Sequence, residues 1–160
     1  EFLPPTTIQN AHWEYYEREI NGCLKPAFYC SRAVLPTMKK NKYGRIINIG
    51  ATLINRPASG YGAHTAAKAA LLGLTKTLAR ECAQDNITVN MISPGMIESN
   101  YIEEHNKGLS DLIRTKTPLQ KLATLNDVSN GILFFASDMS ASVTGSELSI
   151  DGGLSYLNGA

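Results

Sequence analysis

The stretch Tyr61–Glu81, Y-G-A-H-T-A-A-K-A-A-L-L-G-L-T-K-T-L-A-R-E, decides how this chain folds. Ala67, Ala70, Leu71, Leu74 and Leu78 recur at helical spacing and make one apolar face. Alanine is the strongest helix former, so local preference and packing both favour a helix from about 61 to 84. The small residues Ala66, Ala67, Ala69, Ala70 and Gly73 let another backbone come close.

On either side of this helix lies a short apolar run. Arg45-Ile46-Ile47-Asn48-Ile49-Gly50 is bounded by glycines and reads as a buried parallel strand. Ile87-Thr88-Val89-Asn90-Met91-Ile92 is a second, ended sharply by Ser93-Pro94-Gly95. Further out, Thr124-Leu125-Asn126-Asp127 has the pattern of a capping box. It opens a helix with Val128, Ile132 and Phe135 on one face. Thr144-Gly145 then precedes a third strand, Glu147 to Ile150, which ends in Asp151-Gly152-Gly153. Residues 96 to 123 between them are polar, mobile-looking and partly helical.

Towards the N-terminus, Pro4 and Pro5 predict an extended start over residues 1–9. Asn10 is placed to cap a helix from Ala11. Asn21-Gly22 predicts a break, with a second helix to about Lys40 and Pro26 in its first turns. The order helix, strand, helix, strand, helix, strand predicts an α/β fold in one domain spanning 1–160. Its three parallel strands are joined by right-handed helical crossovers. A three-stranded sheet leaves an open edge at residues 45–50.

Of the residues, 43% are hydrophobic and 18% charged, ordinary for a globular protein, and the formal net charge is +1. That balance gives no electrostatic argument for nucleic acid or an anionic membrane. No apolar run approaches the roughly 20 residues of a spanning helix. The cysteines, Cys23, Cys30 and Cys82, fall in predicted helices without metal-ligand spacing. They read as reduced thiols of a cytoplasmic protein. The chain starts Glu1-Phe2-Leu3, with neither Met nor a signal-peptide pattern, so residue 1 is expected not to be the natural start.

Several of these motifs resemble the short-chain dehydrogenase/reductase family. The residues that carry the likeness are Lys68 with Ala69-Ala70-Leu71-Leu72-Gly73-Leu74-Thr75, Gly44-Arg45-Ile46-Ile47-Asn48-Ile49, Ile87 to Gly95, and the Asp151-Gly152-Gly153 ending. The likeness runs from about residue 2 to residue 156. It matches the second half of a family member and is closest to the 3-oxoacyl reductase and 3-hydroxyacyl dehydrogenase type. It implies the second half of a doubly wound, Rossmann-like sheet. The first half, with four strands and a glycine-rich turn, is expected to be absent.

In that family a tyrosine transfers a proton, a lysine one turn later lowers its pKa and holds the cofactor ribose, and a serine bonds the substrate oxygen. An asparagine on the preceding helix completes a proton relay. Carried over, the lysine matches Lys68 and the asparagine Asn21. The tyrosine position holds His64 and the serine position Ala51. Pro94, Gly95 and Ile97 match the turn past the nicotinamide. Ala51 has no donor. Tyr61 lies roughly 10.5 Å along a helix from Lys68, whereas His64 lies roughly 6 Å away, so only His64 is within the lysine's reach. Thr52 is one residue from the serine position and faces away if the strand continues. His64 has two readings, a general acid or base and a tolerated substitution in a site freed from chemical constraint. His12 and His105 have no partner pattern and read as solvated.

The resemblance implies NAD or NADP as cofactor. No G-x-x-x-G-x-G or G-x-G-x-x-G run occurs, so this chain alone is not expected to bind either. Three readings follow. The chain is a pseudoenzyme subunit that assembles, as a tetramer, with an active full-length relative and its acyl thioester substrate. Or it belongs to an active NAD(P)-dependent oxidoreductase whose first half is missing. Or it is an acyl-ligand-binding module.

Overall fold

The computed structural model describes residues 5–156. In chain order these form α1 (Trp13–Asn41), β1 (Gly44–Ile49), α2 (Gly62–Cys82), β2 (Ile87–Pro94), α3 (Asn100–His105), α4 (Lys107–Lys116), α5 (Leu125–Ala136) and β3 (Glu147–Ile150). The sheet order is β1-β2-β3, parallel throughout, with Gly44 opposite Ile87 and Met91 opposite Glu147. β2 is therefore central, and it is buried from Ile87 to Ser93. β1 lies at one edge, as its place in the sequence implied.

Helices cover both faces of the sheet. On one face Leu78, Ala79 and Cys82 of α2 pack with Ile87 and Val89 of β2, joined by Leu35 and Met38 of α1 and Ile46 of β1. On the other, Val128 and Phe135 of α5 pack on Ile92, with Ile47 and Ile150. Ile46 and Ile47 point to opposite layers because side chains alternate along a strand. Two buried asparagines tie the layers together. Asn48 donates to the Thr75 hydroxyl of α2 at 2.9 Å. Asn90, fully buried, donates to the Val143 carbonyl at 2.8 Å and accepts from the Ser146 amide at 3.1 Å. Each buried amide is thus satisfied, which avoids the cost of an orphaned polar group.

At three points the structure departs from the sequence expectations. No break occurs at Asn21-Gly22, and α1 is one helix of 29 residues with Pro26 and Pro36 inside it. Gly22 borders open space, so nothing there forces a turn. Packing on α2 and β1 carries the helix through both prolines, although each removes a backbone donor. Asn10 does not cap α1, which starts at Trp13 after an extended His12 without a side-chain cap. Ala70 is exposed, and the buried residues of α2 are Ala67, Leu71, Thr75, Leu78, Ala79 and Cys82. The polar stretch 96–123 is partly helical, as expected, and holds α3 and α4. Residues 1–4 of the expected extended start lie outside the described residues. Thr6 bonds back to the Gly60 carbonyl at 2.9 Å.

Candidate functional site

A cavity of about 740 Å³ opens beyond the carboxyl ends of β1 and β2, where open parallel sheets place their ligand sites. Its size is that of small-molecule sites. The loop after β1 contributes Ala51, Thr52, Leu53 and Arg56, and the turn after β2 contributes Pro94, Gly95 and Ile97. α1 offers Tyr15, Tyr16 and Glu19, and the start of α2 offers Tyr61 and His64. α3 and α4 close the wall with Ile102, Leu109, Leu112 and Ile113, all from the stretch read as polar and partly helical.

Local structure explains these placements. Gly50 bonds to the Ile92 carbonyl at 2.7 Å and so continues the pairing past the end of β1. Ala51 follows in an extended conformation and opens a short 3-10 turn over Thr52–Ile54. Thr52 is buried and its hydroxyl bonds the Pro94 carbonyl at 3.3 Å, joining the two loops. The Gly95 amide bonds to Ile150 at 2.9 Å. A Cβ at Gly95 would stand 2.8 Å from Asp151 Cβ, so close strand approach requires the glycine.

His64 is half-buried, and its Nδ1 lies 2.8 Å from Glu19 Oε2. A carboxylate only accepts, so Nδ1 carries the proton, and in the neutral ring Nε2 is an acceptor. Lys68, one turn on, donates from Nζ to the Ile49 carbonyl at 2.8 Å. It thereby ties α2 to the end of β1. Asn21 stands apart. It is exposed and lines a separate shallow recess with Ile20, Leu24, Phe28 and Leu74. Of the residues singled out in the sequence, Ala51, His64, Pro94, Gly95 and Ile97 thus share one cavity wall. Lys68, bonded to the Ile49 carbonyl, is not among the lining residues, and neither is Asn21.

Sequence reasoning did not find Glu19 and Tyr16. Glu19 is separated from His64 by 45 residues. No spacing along the sequence links the two, because they lie in different helices, α1 and α2. Among the described residues, no group of His, Cys, Asp and Glu has the arrangement of a metal site. No helix there is long and apolar enough to cross a membrane.

The residues at hand fit only part of a dinucleotide. Pro94, Gly95 and Ile97, which the resemblance sets at the nicotinamide end, line the cavity, but the sequence supplies no glycine-rich turn for the pyrophosphate. The Lys68 ammonium is engaged by a backbone carbonyl.

Residues 2–155 match the family model described as "Enoyl-(Acyl carrier protein) reductase". Among similar proteins is the 3-oxoacyl-[acyl-carrier-protein] reductase of Rickettsia felis, 36% identical over 88% of this chain and 58% of that protein. The Escherichia coli enzyme of the same name is 37% identical over 82% of this chain and 54% of its own length. The chain therefore spans a little over half the length of these relatives. An oxidoreductase of the short chain dehydrogenase/reductase family from Burkholderia thailandensis superposes with a TM-score of 0.88, at 28% identity, over 98% of this chain and 63% of that one. A gluconate 5-dehydrogenase from Burkholderia cenocepacia, solved with NADP and tartrate, shares the fold with a TM-score of 0.90, at 24% identity, over 97% of this chain and 62% of that one. The family model over nearly the whole chain, the parallel sheet and the retained Lys68 agree, and the chain belongs to the short-chain dehydrogenase/reductase family, whose cofactor is NAD or NADP.

Proposed function

We propose that this chain does not transfer hydride by itself and serves as a subunit beside a related, catalytically complete oxoacyl or hydroxyacyl oxidoreductase. One observation carries the reading: neither Ala51 nor His64 presents a hydroxyl where the family places its serine and tyrosine. Without them no hydroxyl at those positions donates to a substrate oxygen, and Lys68 has no phenol to act on.

The surface supports the second half of the reading. α1 exposes Phe28, Tyr29 and Val34, and α2 exposes Ala66, Ala69, Ala70 and Gly73 beside it. Bulky apolar groups next to a flat, small-residue strip suit helix-on-helix packing. The family pairs these two helices in its tetramer, and an obligate interface of that kind buries more than roughly 2,000 Å².

Calorimetry with NADH and NADPH, and native mass spectrometry with light scattering, test the proposal. The 160-residue chain should show no micromolar cofactor binding and no reduction of acyl thioester ketones. It should be recovered in an assembly with a related chain. A stable monomer with tight cofactor affinity would overturn both halves. The Ala51→Ser, His64→Tyr double variant should stay inactive alone, since the 160 residues lack the phosphate cradle. The alternative, an active oxidoreductase using His64 as its acid, draws on the Glu19 bond. It requires cofactor-dependent turnover that disappears in His64→Phe.

A further inference from the structure

We infer that Glu19 and His64 form a carboxylate-oriented base that carries cofactor-free proton transfer on an apolar carbonyl compound. The inference rests on the reading that His64 stands outside hydride chemistry. His64 lines the cavity, and the 2.8 Å bond from Nδ1 to Glu19 Oε2 fixes the ring. The proton on Nδ1 leaves Nε2 as the basic atom. A third group that orients a base is the recurrent feature of such sites.

The remaining walls suit the substrate class. Ile102, Leu112 and Ile113 offer an apolar bed. The phenols of Tyr16 and Tyr61 line the same cavity. Neither makes a hydrogen bond among the described residues, so both hydroxyls are free to donate to a carbonyl oxygen. The Tyr16 hydroxyl reaches the start of α2, where a Cβ on Gly62 would meet it at 2.8 Å. Ser155 also lines the cavity, with its own hydroxyl buried and unpartnered.

The step is redox-neutral. Nε2 of His64 takes the proton from the carbon next to the carbonyl. The C–H electron pair moves into the enolate, whose oxygen takes a hydrogen bond from a phenol. Nε2–H then returns a proton to the same carbon. No oxidant, reductant or cofactor is consumed. His64 is the catalytic residue of this proposal, and Glu19 is a positioning residue.

The test is deuterium incorporation into 2-octanone, a methyl ketone with an apolar tail, in D₂O buffer without nicotinamide cofactor. Proton NMR and mass spectrometry read the positions flanking the carbonyl. The wild-type chain should exceed the buffer rate by about 100-fold or more, within the range of positioned acid–base catalysis. His64→Ala should fall to the buffer rate, and added imidazole should restore part of it. Glu19→Ala should lower kcat about tenfold with KM held. Glu19→Gln, whose amide oxygen still accepts from Nδ1–H, should recover some of that loss. A wild-type rate equal to buffer, or equal to that of folded His64→Ala, overturns the inference. Cofactor-dependent reduction by the chain alone would instead sink the proposed function and leave the exchange result standing.

Discussion

A methyl group at residue 95 has no room. The Cβ it would add lies 2.8 Å from Asp151 Cβ and 3.2 Å from Asp151 Cα. Asp151 in turn accepts from the Gly153 and Ser155 amides, at 2.9 and 2.7 Å, and so shapes the wall that holds Ser155. Gly95→Ala should therefore lower stability by about 1–3 kcal/mol in urea unfolding, the usual cost of overpacking. It should also disturb ligand binding in the cavity, whereas Gly73→Ala, with open space around it, should be neutral or stabilising. At this scale the motif spacing put Ala51 and His64 on one wall of the cavity, while Lys68 lies outside its lining. Glu19 was hidden because its meaning depends on a residue in another helix, and spacing along one helix says nothing about a neighbour across the layer.

Among the elements, the helix with the clearest signals behaved as read. Thr124 accepts from the Asp127 amide at 3.2 Å, and Asp127 accepts from the Thr124 amide at 2.8 Å, closing the capping box of α5. The Thr124 amide, then its hydroxyl, bond the Asp127 carboxylate and hold its pKa below the ordinary carboxylate value. A depressed folded pKa means stabilisation that is present above the unfolded value, near about 4, and is lost as the pH falls through the folded one. Thr124→Ala should lower Tm by about 2–4 °C near neutral pH, measured by circular dichroism. Its deficit against wild type should narrow below about pH 4. In α1 the local signal at Asn21-Gly22 misled, since that pair normally ends a helix. There, burial against α2 and β1 outweighed propensity. The apolar faces of α3 and α4 escaped notice for the same reason, because short helices with few apolar residues acquire meaning only from the cavity they line.

At the scale of the whole chain, the strand order and the two covered faces were legible, since β-α-β order and crossover handedness leave few alternatives. What the chain does with its outer face was not, because exposure is a property of the assembled layers. Phe28 and Tyr29 are about half exposed, at 46% and 54%. If they face a partner helix, Phe28→Asp should shift the chain from an assembly to a monomer in light scattering, with little loss in the intrinsic fold. An unchanged mass would place the interface elsewhere.

The parallel pairing has a temporal consequence. Gly44 must find Ile87, and Met91 must find Glu147, so no two strands are joined by a hairpin. Helices form within about a microsecond, but the sheet waits on loop closure across whole helices, which places its assembly among the slower topologies. During that delay the edge of β1 stands uncovered, and Ile49 at its end remains 40% exposed even when folding is complete. Refolding of the 160 residues by dilution from denaturant should therefore be slow, with aggregation competing more strongly as the concentration rises.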